Sequence, residues 1–74
     1  MNAALGTVLN RAMQAYRVGN LFEAEWLCQD VLQQQPGTIA ALHLLGVIAY
    51  QTGRLDSAIA YYQSVIALNP AHFE

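Results

Sequence analysis

Two segments of this chain, AYRVGNLFEA (15–24) and AYQTGRLDSA (49–58), share a pattern at a constant offset along the sequence. Self-similarity at a fixed period is the sequence signature of repeat architectures. The offset that carries Ala15 onto Ala49 superimposes identical residues along most of the unit: Ala15/Ala49, Tyr16/Tyr50, Gly19/Gly53, Leu21/Leu55, Ala24/Ala58, Gln29/Gln63, Val31/Val65 and Pro36/Pro70. The chain is therefore interpreted as one structural unit built twice.

The second unit has the pattern of two helices. Apolar and small residues recur three and four positions apart from Leu42 to Thr52, which is the spacing of one helix face. Gly53 then predicts a helix end, because glycine adopts the left-handed conformation at low cost. A second stripe of this kind begins at Leu55 and ends before Pro70, which disfavours helix in the residue before it.

The first unit repeats this plan, with Gly19 and Pro36 in the positions of Gly53 and Pro70. Asn20 and Glu23 have the spacing of an N-cap residue and its partner in the first turn. Thr38 is placed to cap the third helix. We predict four helices near residues 3–18, 21–34, 38–52 and 55–68.

The pattern resembles the tetratricopeptide repeat, a helix-turn-helix unit of about 34 residues with small residues where its two helices cross. The second unit, counted from Ile39, matches closely at the family positions, which are Leu42, Leu45, Gly46, Ala49, Tyr50, Gly53, Ala58, Tyr62, Val65 and Pro70. The first unit, counted from Leu5, departs at Arg11 and Cys28. The resemblance implies an all-α, right-handed superhelix of antiparallel helices with repeats at 5–38 and 39–72, and with residues 73–74 as the start of a third.

The two units differ where the family packs a first helix against the preceding repeat. These positions are mostly apolar in the second unit (Ala41, Leu45, Ile48, Thr52) and mostly polar in the first (Thr7, Arg11, Gln14, Val18). Terminal repeats need a polar outer face, so the first unit is expected to be an N-terminal cap. We expect the chain to be an N-terminal fragment of a longer one, or its last helix to be covered by another copy.

In this family the first helices of successive repeats line a concave groove. The resemblance carries that role to nine residues, hereafter the groove: Leu9, Met13, Tyr16, Arg17, His43, Leu44, Val47, Tyr50 and Gln51. Chaperone-binding members clamp a terminal carboxylate with basic and amide side chains there, whereas this chain carries mainly apolar ones. An apolar peptide or helix is therefore the expected partner. The alternative is that a missing C-terminal helix or a second copy of the chain covers this wall.

Two further surfaces are candidates. The last helix carries Ile59, Tyr62, Val65 and Ile66, which we expect to form a self-association face that makes this chain a homo-oligomer, by packing of last helices or by exchange of a helix pair about Gly53. Trp26 falls on the convex side of the second helix. It could be an exposed interface anchor or could lie flat over its neighbours.

Composition and side-chain spacing argue against other classes of function. Apolar residues make up 55% of the chain and the net charge is −2, so nucleic-acid binding is disfavoured. The acids, the two histidines and the single cysteine have no spacing typical of a catalytic set or a metal site. We therefore predict no cofactor, no enzyme activity in these residues and no membrane insertion, and we expect a cytoplasmic location.

Two classes of function remain. The chain is either a non-catalytic scaffold that binds protein, including itself, or the N-terminal module of a larger enzyme. The segment ALHLLGVIAYQTGRLDSAI (41–59) resembles repeats that precede glycosyltransferase domains in bacterial chains. In that case the repeats would position a partner or mediate oligomerisation.

Overall fold

The computed structural model describes residues 2–69, which form four helices joined by short turns. Helix α1 spans Asn2–Arg17, α2 Leu21–Gln34, α3 Ile39–Gln51 and α4 Leu55–Leu68. The predicted limits of α2 and α4 are confirmed, and those of α1 and α3 are correct to within one residue. The all-α helical repeat is confirmed, whereas the predicted start of a third repeat lies outside the described residues.

The repeated glycines end α1 and α3 in the same hydrogen-bonded turn. Gly19 and Gly53 have positive φ values of 86° and 81°. The amide of Gly19 donates to the Tyr16 carbonyl at 3.0 Å, and the amide of Asn20 donates to the Ala15 carbonyl at 2.8 Å. The same two bonds recur in the second repeat, to the carbonyls of Tyr50 and Ala49. This is the Schellman motif, and it accounts for the glycine in both segments.

The beginnings of the helices are less regular. Asn20 Oδ1 accepts the Glu23 amide hydrogen at 3.3 Å, and Asn20 Nδ2 donates to Glu23 Oε1 at 2.9 Å. The predicted cap of α2 is therefore confirmed. The prediction for Thr38 was wrong: it occupies the N-cap position of α3, but its hydroxyl donates to the Gln35 carbonyl at 2.8 Å. A hydroxyl can donate as well as accept, and here it donates to the preceding turn.

Each repeat packs its two helices together, and α2 also packs against α3. One buried cluster joins Ala12, Leu27, Cys28, Val31, Ala41 and Leu45. A second joins Ala15, Ala24 and Ile48. Because both clusters contain residues from α1, α2 and α3, the two repeats share a continuous core rather than folding separately.

Small residues occupy the helix crossings, as predicted. A Cβ atom built on Gly46 would lie 2.8 Å from Cε1 of the Tyr62 ring. Ala12, Ala24 and Ala58 are also buried. Glycine at position 46 therefore lets α4 bring an aromatic ring onto the backbone of α3.

The two repeats differ in burial as predicted at three of the four positions, whereas Thr52 and Val18 are both exposed. Ala41, Leu45 and Ile48 are buried between α3 and its neighbours. Their counterparts in α1 (Thr7, Arg11 and Gln14) are exposed.

Over the described residues, no helix is both long enough and apolar enough to cross a membrane.

Candidate interaction surfaces

The predicted groove residues come from α1 and α3. Gln51 Nε2 donates to the Tyr16 hydroxyl oxygen at 2.9 Å, which links the last turns of the two helices. Leu44 packs against both buried clusters, and Leu9 packs against the larger one. Side chains from two different repeats, distant in sequence, are therefore brought together in one wall.

The groove residues differ in how much of each side chain reaches solvent. Leu9, Tyr16, Leu44 and Val47 are half-buried, whereas Met13 and Tyr50 are exposed. This combination gives a surface with a fixed apolar base and exposed apolar side chains around it. Such a surface can bury the apolar side of a peptide or helix.

His43 and Arg17, which were also predicted to line the groove, have different surroundings. The His43 ring contacts the Tyr62 ring of α4 edge-on, with centroids 5.9 Å apart. His43 is therefore directed toward α4 rather than toward α1. Arg17 is exposed in the last turn of α1, where a cation interacts favourably with the helix dipole.

The predicted self-association face on α4 needs correction. Val65 is fully buried, and the Tyr62 ring is half-buried over Gly46, so neither presents its full side chain to solvent. Ile59 and Ile66 are 54% and 46% exposed, and Leu55, which was not predicted from sequence, is 54% exposed. Successive separations of four and seven positions place these three on one side of the helix. We call Leu55, Ile59 and Ile66 the open face.

The open face has an internal counterpart in α2. The corresponding residues of the first repeat are Leu21, Glu25 and Leu32, and all three are half-buried. The difference arises because α3 packs against α2. The same side of the repeat is therefore covered in the first unit and exposed in the second.

Trp26 lies on α2 with most of its side chain in solvent. It is 60% exposed, and Phe22, one turn earlier, is 81% exposed. Shallow depressions flank the two rings, and one of about 380 Å³ is lined by Asn20, Phe22, Glu23 and Trp26. Phe22 was not singled out from sequence, although its position four before Trp26 was a usable signal.

An ion pair that sequence reasoning missed joins the two repeats. Arg54 donates to both carboxylate oxygens of Glu25, at 2.7 and 3.0 Å. Arg54 also donates through Nε to the Thr52 hydroxyl at 3.0 Å. Because the two charged residues lie far apart in sequence, no local pattern marks the pair. It becomes visible only when α2 and the α3–α4 turn are placed side by side.

Cys28, which takes the position of Tyr62 in the other repeat, lies in the core. Burial, with a smaller contribution from the nearby Glu25 charge, raises the pKa of its thiol to about 11. The thiol is therefore neutral at physiological pH. Within residues 2–69, the His, Cys, Asp and Glu side chains form no group of three that could hold a metal ion.

Comparison with known proteins agrees with this geometry. The sequence model of the tetratricopeptide repeat matches residues 4–71. Over 69 residues the chain is 32% identical to a UDP-N-acetylglucosamine–peptide N-acetylglucosaminyltransferase of Caenorhabditis elegans. That match covers 93% of this chain but only 6% of the relative. With two helical hairpins, glycine turns and small-residue crossings in matching positions, this chain belongs to the tetratricopeptide repeat family.

Proposed function

We propose that this chain is a non-catalytic scaffold that binds apolar helices or peptides through two surfaces, the groove and the open face. Tetratricopeptide repeats are typically protein-interaction modules. We also propose that it acts in the cytoplasm.

The observation that carries this proposal is the unequal burial of equivalent surfaces in the two repeats. The side of α2 covered by α3 is matched on α4 by Leu55, Ile59 and Ile66, each about half exposed. Removing apolar surface of this kind from water stabilises a complex by roughly 25 cal/mol per Å². Another helix with an apolar stripe would fit this side, and the open face of a second copy of the chain supplies one.

The groove gives a second surface with different chemistry. Its apolar base is supported by the core, so it is already formed before a partner binds. A partner would therefore lose little free energy to reorganisation of the groove. An amphipathic helix with apolar residues at spacings of three and four would present a matching stripe.

A substitution at Val47 tests the groove. A synthetic amphipathic helical peptide of leucine, glutamine and glutamate serves as the probe, and a scrambled peptide of the same composition serves as control. We expect Val47→Lys to weaken binding of the helical peptide at least fivefold, because the substitution places a charge against an apolar surface. Circular dichroism should show unchanged helicity. Equal binding by Val47→Lys and the unsubstituted chain would rule out the groove as the site.

A second candidate function is a repeat module within a larger enzyme. It is favoured by the 32% identity to a glycosyltransferase of which this chain matches only 6%. In such a protein these residues would position a protein substrate or mediate oligomerisation. A catalytic domain in the same reading frame would favour this candidate. Val47→Lys in that larger enzyme should then lower its activity on a protein substrate. Its activity on a short peptide should be unchanged.

A further inference from the structure

The exposed side of α2 carries an aromatic pair that the fold does not require. Phe22 and Trp26 are 81% and 60% exposed. The corresponding residues of the second repeat are Asp56 and Ala60, which occupy the same positions on α4. Because the same backbone forms with an acid and a small residue there, folding alone does not account for two large rings in contact with water.

An acidic side chain lies beside this pair on the same face of the helix. Asp30 follows Trp26 by four positions, so the two side chains are neighbours. A depression of about 110 Å³ on this side of the Trp26 ring is lined by Trp26, Gln29, Asp30 and Gln33. The larger depression lies between Phe22 and Trp26. We call Phe22, Trp26 and Asp30 the aromatic strip.

Asp30 is the acidic residue of the aromatic strip, and the two ion pairs described above and below use other acids. The sequence contains three basic side chains, Arg11, Arg17 and Arg54. Arg54 is paired with Glu25, and Arg11 lies 4.0 Å from Glu23. Among residues 2–69, neither of these pairs involves Asp30. The charge near Trp26 is therefore complementary to a cation.

We propose that the aromatic strip binds an arginine side chain of a protein segment that lies along α2. The guanidinium plane stacks on the Trp26 ring, and its N–H groups donate to the Asp30 carboxylate. An apolar residue next to the arginine occupies the depression beside Phe22. Arginine fits better than lysine, because its planar cation both stacks on an aromatic face and donates two parallel hydrogen bonds. This surface is separate from the groove and the open face, so it adds a third binding surface to the proposed function.

Intrinsic fluorescence provides a direct readout, because Trp26 is the single tryptophan of the chain. The probe is the peptide acetyl-Leu-Arg-Leu-amide. Its matched control carries citrulline, which has nearly the same shape as arginine but no charge. We expect a saturable change in Trp26 fluorescence with the arginine peptide and an affinity about two- to fivefold lower with the citrulline peptide. The lysine peptide should fall between them.

Two variants with the same change of charge separate the strip from general electrostatics. Asp30→Asn should weaken binding of the arginine peptide about two- to fivefold, whereas Asp56→Asn on α4 should leave it unchanged. Circular dichroism should show that both variants keep their helicity. Val47→Lys should not affect this binding, so failure of the groove and failure of the strip give different results.

Three outcomes would overturn the proposal. Equal affinities for the arginine and citrulline peptides would make the strip an apolar anchor only. Equal effects of Asp30→Asn and Asp56→Asn would assign the binding to net charge. A fluorescence change that follows protein concentration without peptide would identify a second copy as the occupant.

Discussion

At the scale of single residues, the two repeats fill the helix crossing with different pairs of side chains. In the second repeat Gly46 faces the large ring of Tyr62, whose nearest atom would lie 2.8 Å from an added Cβ. In the first repeat the corresponding residues are Ala12 and Cys28, and both are fully buried. The larger residue on the first helix is thus matched by a smaller one on the second. Close packing explains this pairing, since each crossing accepts only a limited total volume.

Replacement by leucine should have opposite effects on stability at Gly46, which lies at the crossing, and at Gly6, which does not. Gly46→Leu should lower the free energy of unfolding by roughly 1–3 kcal/mol or more, because the side chain overlaps the Tyr62 ring. Gly6→Leu adds its side chain where no atom lies within 4 Å of the Cβ, and should raise stability by up to about 1 kcal/mol through better helix propensity. Urea unfolding measures both. Similar changes at the two positions would mean that the crossing tolerates the added volume.

The buried thiol predicts a loss of stability at alkaline pH. The pKa of Cys28 is raised from 9.0 to about 11 in the folded chain, by burial and then by the Glu25 charge. As the pH rises, the unfolded chain therefore loses the thiol proton at a lower pH than the folded chain does. Its contribution to stability is complete below pH 9 and is lost as the pH rises toward 11. The loss should amount to roughly 2–3 kcal/mol at most.

The Cys28→Ala variant isolates this effect, because tyrosines also ionise in the same pH range. The variant should be less stable throughout, since it leaves a small cavity, but its stability should fall less steeply above pH 9. Denaturant midpoints measured from neutral to alkaline pH give the two slopes. Parallel slopes would show that the thiol proton does not contribute.

At the scale of helices, local signals predicted the limits well. Gly19 and Gly53 sit where a positive φ is needed, and each ends its helix in the same turn. These features depend on residues close in sequence, so one chain was sufficient to predict them. The wrong prediction for Thr38 has a local cause too: the choice of hydroxyl partner depends on the geometry of the turn at Gln35.

The capping residues should differ in their contribution to stability. Asn20→Ala removes the acceptor for the Glu23 amide and should cost about 1 kcal/mol. Thr38→Ala should cost less, because the Thr38 hydroxyl satisfies no amide of α3. Thermal and urea unfolding of the two variants test this order. A greater loss for Thr38→Ala would contradict it.

Contacts between helices were predicted less completely. The large apolar residues near the end of α4 were all expected on one face, yet Val65 is buried and Ile66 is half exposed. Adjacent residues lie about 100° apart around a helix, so the rotation of α4 decides which one faces α3. The Glu25–Arg54 pair also depends on how the repeats are placed. The groove stays a prediction, because its placement came from the family resemblance.

At the scale of the whole molecule, the chain has two unlike ends. Near α1 the outer side chains are mainly polar, although Val18 is 80% exposed. Near α4 the open face presents three large apolar side chains in one row. Removing such a row from water favours association. The central claim is therefore that copies of this chain associate through α4.

Sedimentation equilibrium over a series of protein concentrations tests this claim most directly. We expect the average mass of the 74-residue chain to rise from one copy toward two or more with concentration. Replacing both Ile59 and Ile66 with lysine should keep the chain monomeric, whereas Val18→Lys should not change association. A chain that stays monomeric at high micromolar concentration, or one that associates equally after Ile59 and Ile66 are replaced, would contradict the claim.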